Sequence, residues 1–316
     1  MTITTSNALP APMQAWFDNV LLSRPMPGLI HKIPAMKKKL PPNSGRIARY
    51  RRYANLKTAT VPLPDSGLTP PGQVLNAIDI DARADFYGTY TTITDTVMFI
   101  NQDPVLNQTV SLLAQSMRET EDELLRNTLE GTASVINATH GVNGDNPCEL
   151  NRQDLDSVIR ALINSSAMMI SDNIPGTLKF GTSPVREAFI GMMNSNIIDD
   201  LESVTGFISQ AQYPSSMNIF NNEWGSVSNV RFLYSPLGSV SPGASLNGED
   251  VYNIFITGTE AYAMIDLTQA TASFIYTPPG GSTDPLRRLQ IGAWKKMQAT
   301  RLLNDRWIYN FRVTHS

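Results

Sequence analysis

Few residues in this sequence stand at spacings that do chemistry. Asp79 and Asp81 flank Ile80, so on an extended strand both carboxylates point to one face. Such a pair is able to hold a metal ion, but acidic pairs are also common on solvent-facing strands. The three histidines, His31, His140 and His315, lie far apart, and none sits in an H-x-x-x-H or Cys/His pattern. Cys148 is the single cysteine, with nothing basic beside it in sequence, and reads as an inert thiol. The phosphate loop G-x-x-x-x-G-K-[ST], the dinucleotide fingerprint G-x-G-x-x-G and the nucleophile elbow G-x-S-x-G are all missing. The expectation is a protein that is not an enzyme and takes no metal or cofactor.

The elements around these residues are better defined. Residues 46–53 (RIARYRRY) alternate as a strand with basic positions on both faces. Arginines interleaved with tyrosines suit a nucleic-acid backbone, or a strand pairing with acidic neighbours. Pro62, Pro64, Gly67, Pro70, Pro71 and Gly72 make a turn-dense tip within 58–75, and 76–98 again reads as strand. The whole reads as a long projecting hairpin. Asp103-Pro104 then opens the strongest helix, with Leu106, Val110, Leu113, Met117, Leu124, Leu125 and Leu129 as its apolar stripe and Gly131 as its stop. From 104 to 130 it would run about 40 Å. Its acidic run, Glu119, Glu121, Asp122 and Glu123, reads as a solvated face or a dock for basic residues.

Further on, 132–150 reads as a loop and Leu155, Val158, Ile159, Leu162 and Ile163 mark a second helix. Ser183-Pro184 is expected to open a third helix to about Met193, with a short one near 197–203. Residues 226–236, 250–257 and 261–267 read as strands, 278–285 as a turn cluster, and 288–313 as two strands about Asn304-Asp305. In the last strand Trp307, Tyr309, Phe311 and Val313 are expected to point inward. The fold class is α+β.

The chain has 316 residues, with 17% charged against a usual ~25%. So low a fraction suits a chain whose surface is largely covered by neighbours. The signs are also split. Residues 1–57 carry ten Lys and Arg against Asp18 alone, and 286–316 carry seven against Asp305 alone, while the middle is strongly acidic. This asymmetry points to a polyanion or to pairing between copies. Residues 1–45 are Pro-rich and basic, with one short amphipathic helix expected over Met13–Leu22; such a segment cannot order itself and is expected to lie on a neighbouring copy. No apolar run reaches membrane-spanning length, and Asp18 interrupts the first apolar stretch, so neither a membrane span nor a secretory signal is expected.

Seven blocks carry a resemblance: SGRIARYRRYANLKTATVPL (44–63), DSGLTPPGQ (65–73), YGTYTTITD (87–95), DPVLNQTVSLLAQSMRETEDELLRNTLEGT (103–132), GSVSNVRFLYSP (225–236), DVYNIFITGTEAYAMIDL (250–267) and STDPLRRLQIGAWKKMQATRLLNDRWIY (282–309). In this order the chain resembles the major capsid proteins of tailed bacteriophages, which have the HK97-type (Johnson) fold, and among them the coat-protein family of N4-like phages. The resemblance implies an N-arm (1–45), an extended E-loop with its strands (46–95), a P-domain (96–144) with a spine helix over 104–130, an A-domain (145–270) and a return to the P-domain (271–316). It implies a shell of hexamers and pentamers around packaged double-stranded DNA, located in the virion capsid and assembled in the bacterial host cytoplasm. Decoration, scaffolding and portal proteins are the further partners implied, with non-specific DNA contact.

Within that frame Lys37, Lys38, Lys39, Arg46, Arg49, Arg51 and Arg52, the tip residues Pro62, Leu63, Leu68 and Pro70, and the acids Glu119, Glu121, Asp122 and Glu123 are the expected inter-subunit contacts. Some members of the fold crosslink through an E-loop lysine; no lysine lies between 58 and 178 here, so no crosslink is expected. Removal of an N-terminal segment is not expected either. The alternatives are an encapsulin-like compartment shell and a nucleic-acid-binding protein using its basic arm.

Overall fold

The structure, a computed structural model, describes residues 3–4, 27–41, 45–60, 62, 72–100, 105–139, 146–175, 183–214, 219–267, 273–280 and 284–315. The helix expected over Met13–Leu22, and Leu63, Leu68 and Pro70 of the hairpin tip, lie outside these residues.

In chain order, β1 (Ile3–Thr4) precedes β2 (Met36–Leu40), a hairpin of β3 (Ile47–Tyr53) and β4 (Ala77–Arg83), and β5 (Asp85–Thr94). Helix α1 (Asp95–Ile100) leads to the long α2 (Val105–Glu130). Then come β6 (Val135–Asn137), α3 (Arg152–Asn164), β7 (Phe189–Asn194), α4 (Ile198–Ser203), β8 (Phe207–Ser209), β9 (Glu223–Val227), β10 (Val230–Ser235) and β11 (Val240–Ser241). The chain closes with β12 (Val251–Thr257), β13 (Tyr262–Leu267), β14 (Ser273–Thr277), β15 (Leu289–Leu302) and β16 (Ile308–Thr314).

Eight strands form a central mixed sheet, ordered β6-β16-β12-β7-β10-β9-β8 with β11 beside β12. Alternation along its strands feeds two cores. Phe189, Met193, Phe232, Ile254, Ile256, Phe311 and Val313 pack with Leu155, Val158 and Leu162 of α3. Ile190, Met192, Leu233, Phe255 and Ile308 face the other way, onto Leu125 and Leu129 of α2. A sheet buried on both faces needs apolar residues at nearly every position. This explains two departures from the sequence expectation. Residues 189–194, expected as the body of a helix, are the fully buried strand β7, because a short continuous apolar run fits either element. In β16 Ile308 and Asn310, on the face expected to be open, are also buried, while Arg312 on that face is exposed. Gly191 lies at this crowded centre, where an added Cβ would come within 2.9 Å of the Phe232 ring.

The second sheet runs β1-β5-β15-β13-β2, with β14 also on β15. The strand expected over 76–98 is in fact β4, β5 and the start of α1, with buried Ala84 at the break. That over 226–236 is the β9–β10 hairpin, turning at Ser228 with φ 52°. Helix α2 stops at Glu130 as expected, but Gly131 is not in the left-handed region; the Thr132 N–H bonds the Leu129 carbonyl instead. The loop expected over 132–150 contributes β6 to the sheet.

The β3–β4 hairpin is a separate two-stranded sheet. Ala48 and Tyr50 at its base pack on Leu40, Ala82, Ile265 and Met297; beyond that it leaves the body.

Candidate assembly surfaces

The basic arm and the acidic run of α2 do meet, but within one chain. Ile30 is fully buried among Leu125, Leu129 and Phe255, and it fixes the residues after it. The His31 backbone N–H donates to Asp122 Oδ1 at 2.9 Å, and the imidazole Nδ1 lies 2.7 Å from Asp122 Oδ2. Tyr262 donates its hydroxyl to the His31 carbonyl at 2.6 Å. Burial, and then the Asp122 charge, push that phenol far above its ordinary range. One residue on, Lys32 Nζ donates to Glu121 Oε2 at 2.6 Å, while buried Lys296 of β15 donates to Glu121 Oε1 and pairs with Asp266 at 3.0 Å. Burial pushes the Glu121 carboxyl up, but the bonds from Lys296 and Lys32 outweigh it and hold the group below its usual value.

Glu121 and Asp122 are therefore not a solvated face. Each stands one helical turn from buried Leu125, at i+4 and i+3, and shares its side of α2. Glu119 and Glu123 are more open; Glu119 accepts from Gln115 and Glu123 pairs weakly with Arg126 at 3.4 Å. Residues 36–40, expected as irregular arm, form β2, which pairs in parallel with β13 and exposes Lys37, Lys38 and Lys39 along a sheet edge. The stretch 27–41 of the arm thus docks on its own chain rather than waiting for another copy. Ile30, Ala35 and Leu40 supply the apolar anchorage that composition alone understates.

The hairpin has two faces. On one, Arg49 makes paired bonds to Asp81 at 2.7 and 3.0 Å, and Arg51 to Asp79 at 2.7 and 2.9 Å. Hydrogen bonds from these guanidiniums hold both carboxyls below their usual range. The Asp79 and Asp81 pair is thereby matched to arginines, and among the described residues no cluster of His, Cys, Asp or Glu is arranged to hold a metal. On the other face Tyr50, Ile80, Arg52 and Ile78 have no such partners. Arg46 lies over the Phe86 ring, 6.0 Å from its centroid. Past the ladder, Tyr53, Leu56, Val74 and Leu75 are largely exposed, the last two at 80% and 64%; Pro62 is exposed as well.

Two features escaped the sequence reading. Arg231 and Glu223 form a buried bidentate pair at 2.7 and 2.6 Å under the Phe220 and Tyr213 rings. Glu223 and Arg231 are eight positions apart across a turn, and a charged residue inside an apolar strand was their only signal. His315 Nδ1 lies 2.8 Å from Asp200 Oδ2, a single contact whose imidazole is partly exposed. Cys148 is half-buried, with its sulfur 3.9 Å from the Asn146 carbonyl. No helix among the described residues is long and apolar enough to cross a membrane.

Comparison with known proteins matches this architecture to shells. The chain has the overall fold of the capsid of Ralstonia phage GP4, with a TM-score of 0.68, 11% identity, and 97% of this chain aligned to 96% of that one. The cyanophage Pam1 capsid gives a TM-score of 0.66 at 12% identity, covering 97% and 98%. The holo-SrpI encapsulin complex of Synechococcus elongatus is also similar, at a TM-score of 0.57 and 10% identity, covering 93% of each chain. No curated protein matches. A phage capsid protein family model matches residues 77–237, just over half of the chain and spanning β4 to the turn after β10. The chain belongs to the phage capsid protein family, and its α+β fold is the HK97-type capsid fold.

Proposed function

We propose that this chain is the major capsid protein of a tailed phage, and that copies of it build an icosahedral head from hexamers and pentamers around double-stranded DNA. The observation that carries the reading is the hairpin. An isolated two-stranded hairpin is marginal in water. This one is held by the body only at its base and exposes Ile47, Tyr53, Leu56, Val74, Leu75 and Ile78. Those side chains need a cover that the chain does not supply, and a neighbouring copy is the simplest one.

On this reading 1–45 is the N-arm, 46–95 the E-loop, 96–144 with 271–316 the P-domain, and 145–270 the A-domain. The ordered sequence blocks favour the N4-like coat family. Lys37–Lys39, Arg46, Arg52 and the open acids Glu119 and Glu123 then face other copies. Assembly takes place in the host cytoplasm, with decoration, scaffolding or portal proteins as further partners. The role is structural, and contact with DNA is through charge alone.

Negative-stain imaging of the purified 34.8 kDa chain tests this. Uniform shells or ring-shaped capsomers are expected. Monodisperse monomers at every concentration would sink the reading, and shells that recover protein cargo without DNA would move it to a cellular compartment.

A further inference from the structure

Beneath the hairpin lies an open cleft of about 1040 Å³. Its roof is the unladdered face of the hairpin, with Arg52, Ile78 and Ile80. Its floor is the C-terminal end of α2 at Asn127, the end of β15 at Arg301, and the turn at Arg306 that enters β16. Three exposed guanidiniums from three separate elements therefore converge on one space. Among the described residues none of the three has a carboxylate within ion-pair distance, whereas Arg49 and Arg51 on the opposite face are both fully engaged. Asp305 is the one acid among the residues lining the cleft, so the site is left with excess positive charge beside two isoleucines.

The occupant this chemistry fits is anionic with an apolar component. The chain carries such a surface at its far end. The cleft is lined by Gly131, which precedes β6, and by Asn304 to Trp307, which lead into β16; these are the first two strands of the central sheet, and β8 is the last. From Glu187 to Val230 there are five acids and no lysine or arginine. Two of the five are consumed internally, Glu223 by Arg231 and Asp200 by His315. Asp199 and Glu202 on α4 remain exposed, next to the part-buried Ile198 and Phe207, although Glu202 also accepts from Trp224 Nε1 at 2.9 Å. A polynucleotide would match the arginines but leave Ile78 and Ile80 uncovered. Joining opposite edges of identical chains is a head-to-tail contact, the kind that closes into rings.

We propose that the cleft receives the α4–β8 edge of a second copy, with Arg52, Arg301 and Arg306 facing Asp199 and Glu202. This rests on the shell reading and adds the pairing that sets the order of copies around a capsomer.

Charge reversal in the full-length chain tests it. Arg301→Glu with Arg306→Glu, and separately Asp199→Lys with Glu202→Lys, should each lower shell or capsomer yield at least about tenfold, like charges across an interface being strongly unfavourable. All four substitutions sit at exposed positions, so circular dichroism and the melting midpoint should stay near wild type. The chain carrying all four reversals should regain assembly. Wild-type yield from either pair of reversals overturns the proposal. So does a folded four-fold variant that stays unassembled while the wild type forms shells, and in that case the shell reading stands. A wild type that forms neither shells nor capsomers overturns both.

Discussion

Two sets of polar contacts in this chain, each built on a pair of acids, serve different ends. Around α2, Glu121 and Asp122 are buried and hold Lys32, Lys296 and His31. On the hairpin, Asp79 and Asp81 hold Arg51 and Arg49 in the open. The geometry of the hairpin pairs is the more regular, being bidentate, yet the energetic weight lies with the buried set. Water and salt screen an exposed pair and leave it worth little. A buried pair contributes little beyond an apolar replacement, but breaking it strands a charge. The buried set therefore acts as a latch that commits the arm to one position. The ladder keeps a projecting hairpin straight without tying it to the body.

Removing the shared acid of the latch should have the largest effect. Glu121→Ala leaves Lys296, whose side chain is 5% exposed, without its main partner. It should lower unfolding free energy by about 3 kcal/mol, read from urea denaturation of unassembled chain. Glu121→Leu combined with Lys296→Met should recover most of the loss, since the groups left over, Lys32 and Asp266, are both partly exposed and can turn to water. A loss from Glu121→Ala as small as that of a surface residue would show that the latch carries no weight.

The two sets also differed in how far they were legible in the sequence. The hairpin could be read: alternation over 46–53, a Pro/Gly tip, and Asp79 and Asp81 two residues apart gave both the element and its acidic face. The helix from 105 to 130 was equally plain, because its stripe repeats over several turns. The latch could not be read. Its members are about 90 positions apart for His31 and Asp122, and further for Lys296 and Glu121. Nothing local distinguishes Glu121 and Asp122 from Glu119 and Glu123. What decides between them is the helical angle to Leu125 and the sheet packed against it. The buried strand at 189–194 failed for a related reason, since a run apolar on both faces has no period to reveal it. The ordered resemblance blocks carried the family, which composition and spacing alone did not reach.

Acid tests the latch by a different route. The folded Glu121 carboxyl is held below its usual value, whereas in the unfolded chain a glutamate titrates at about 4.3. A depressed folded value means the contribution is fully present above the unfolded pKa and is lost as pH falls through the folded one. Lowering the pH below about 4 should therefore release residues 30–32, seen as faster amide exchange at His31 and Lys32. Glu121→Gln should flatten this response. A wild-type response unchanged by Glu121→Gln would assign the acid sensitivity to other carboxyls.

The smallest effect belongs to the ladder, and salt separates it from the latch. At neutral pH all four of its groups are charged and exposed, so about 1 M salt, with a screening length near 3 Å, should loosen it. Amide exchange in β3 and β4 should quicken beyond the base held by Ala48 and Ala82, while exchange at His31 stays slow. Arg49→Ala with Arg51→Ala should reproduce the salt effect on the hairpin and leave the melting midpoint of the body unchanged, because neither residue belongs to the two cores of the central sheet or to the cluster at the hairpin base. Equal loosening of hairpin and arm by salt would contradict the division, since it would mean that the latch is as open to screening as the ladder. If the division holds, a neighbour that covers the hairpin gains an element already straight but still free to adjust, while the arm is set before any neighbour arrives.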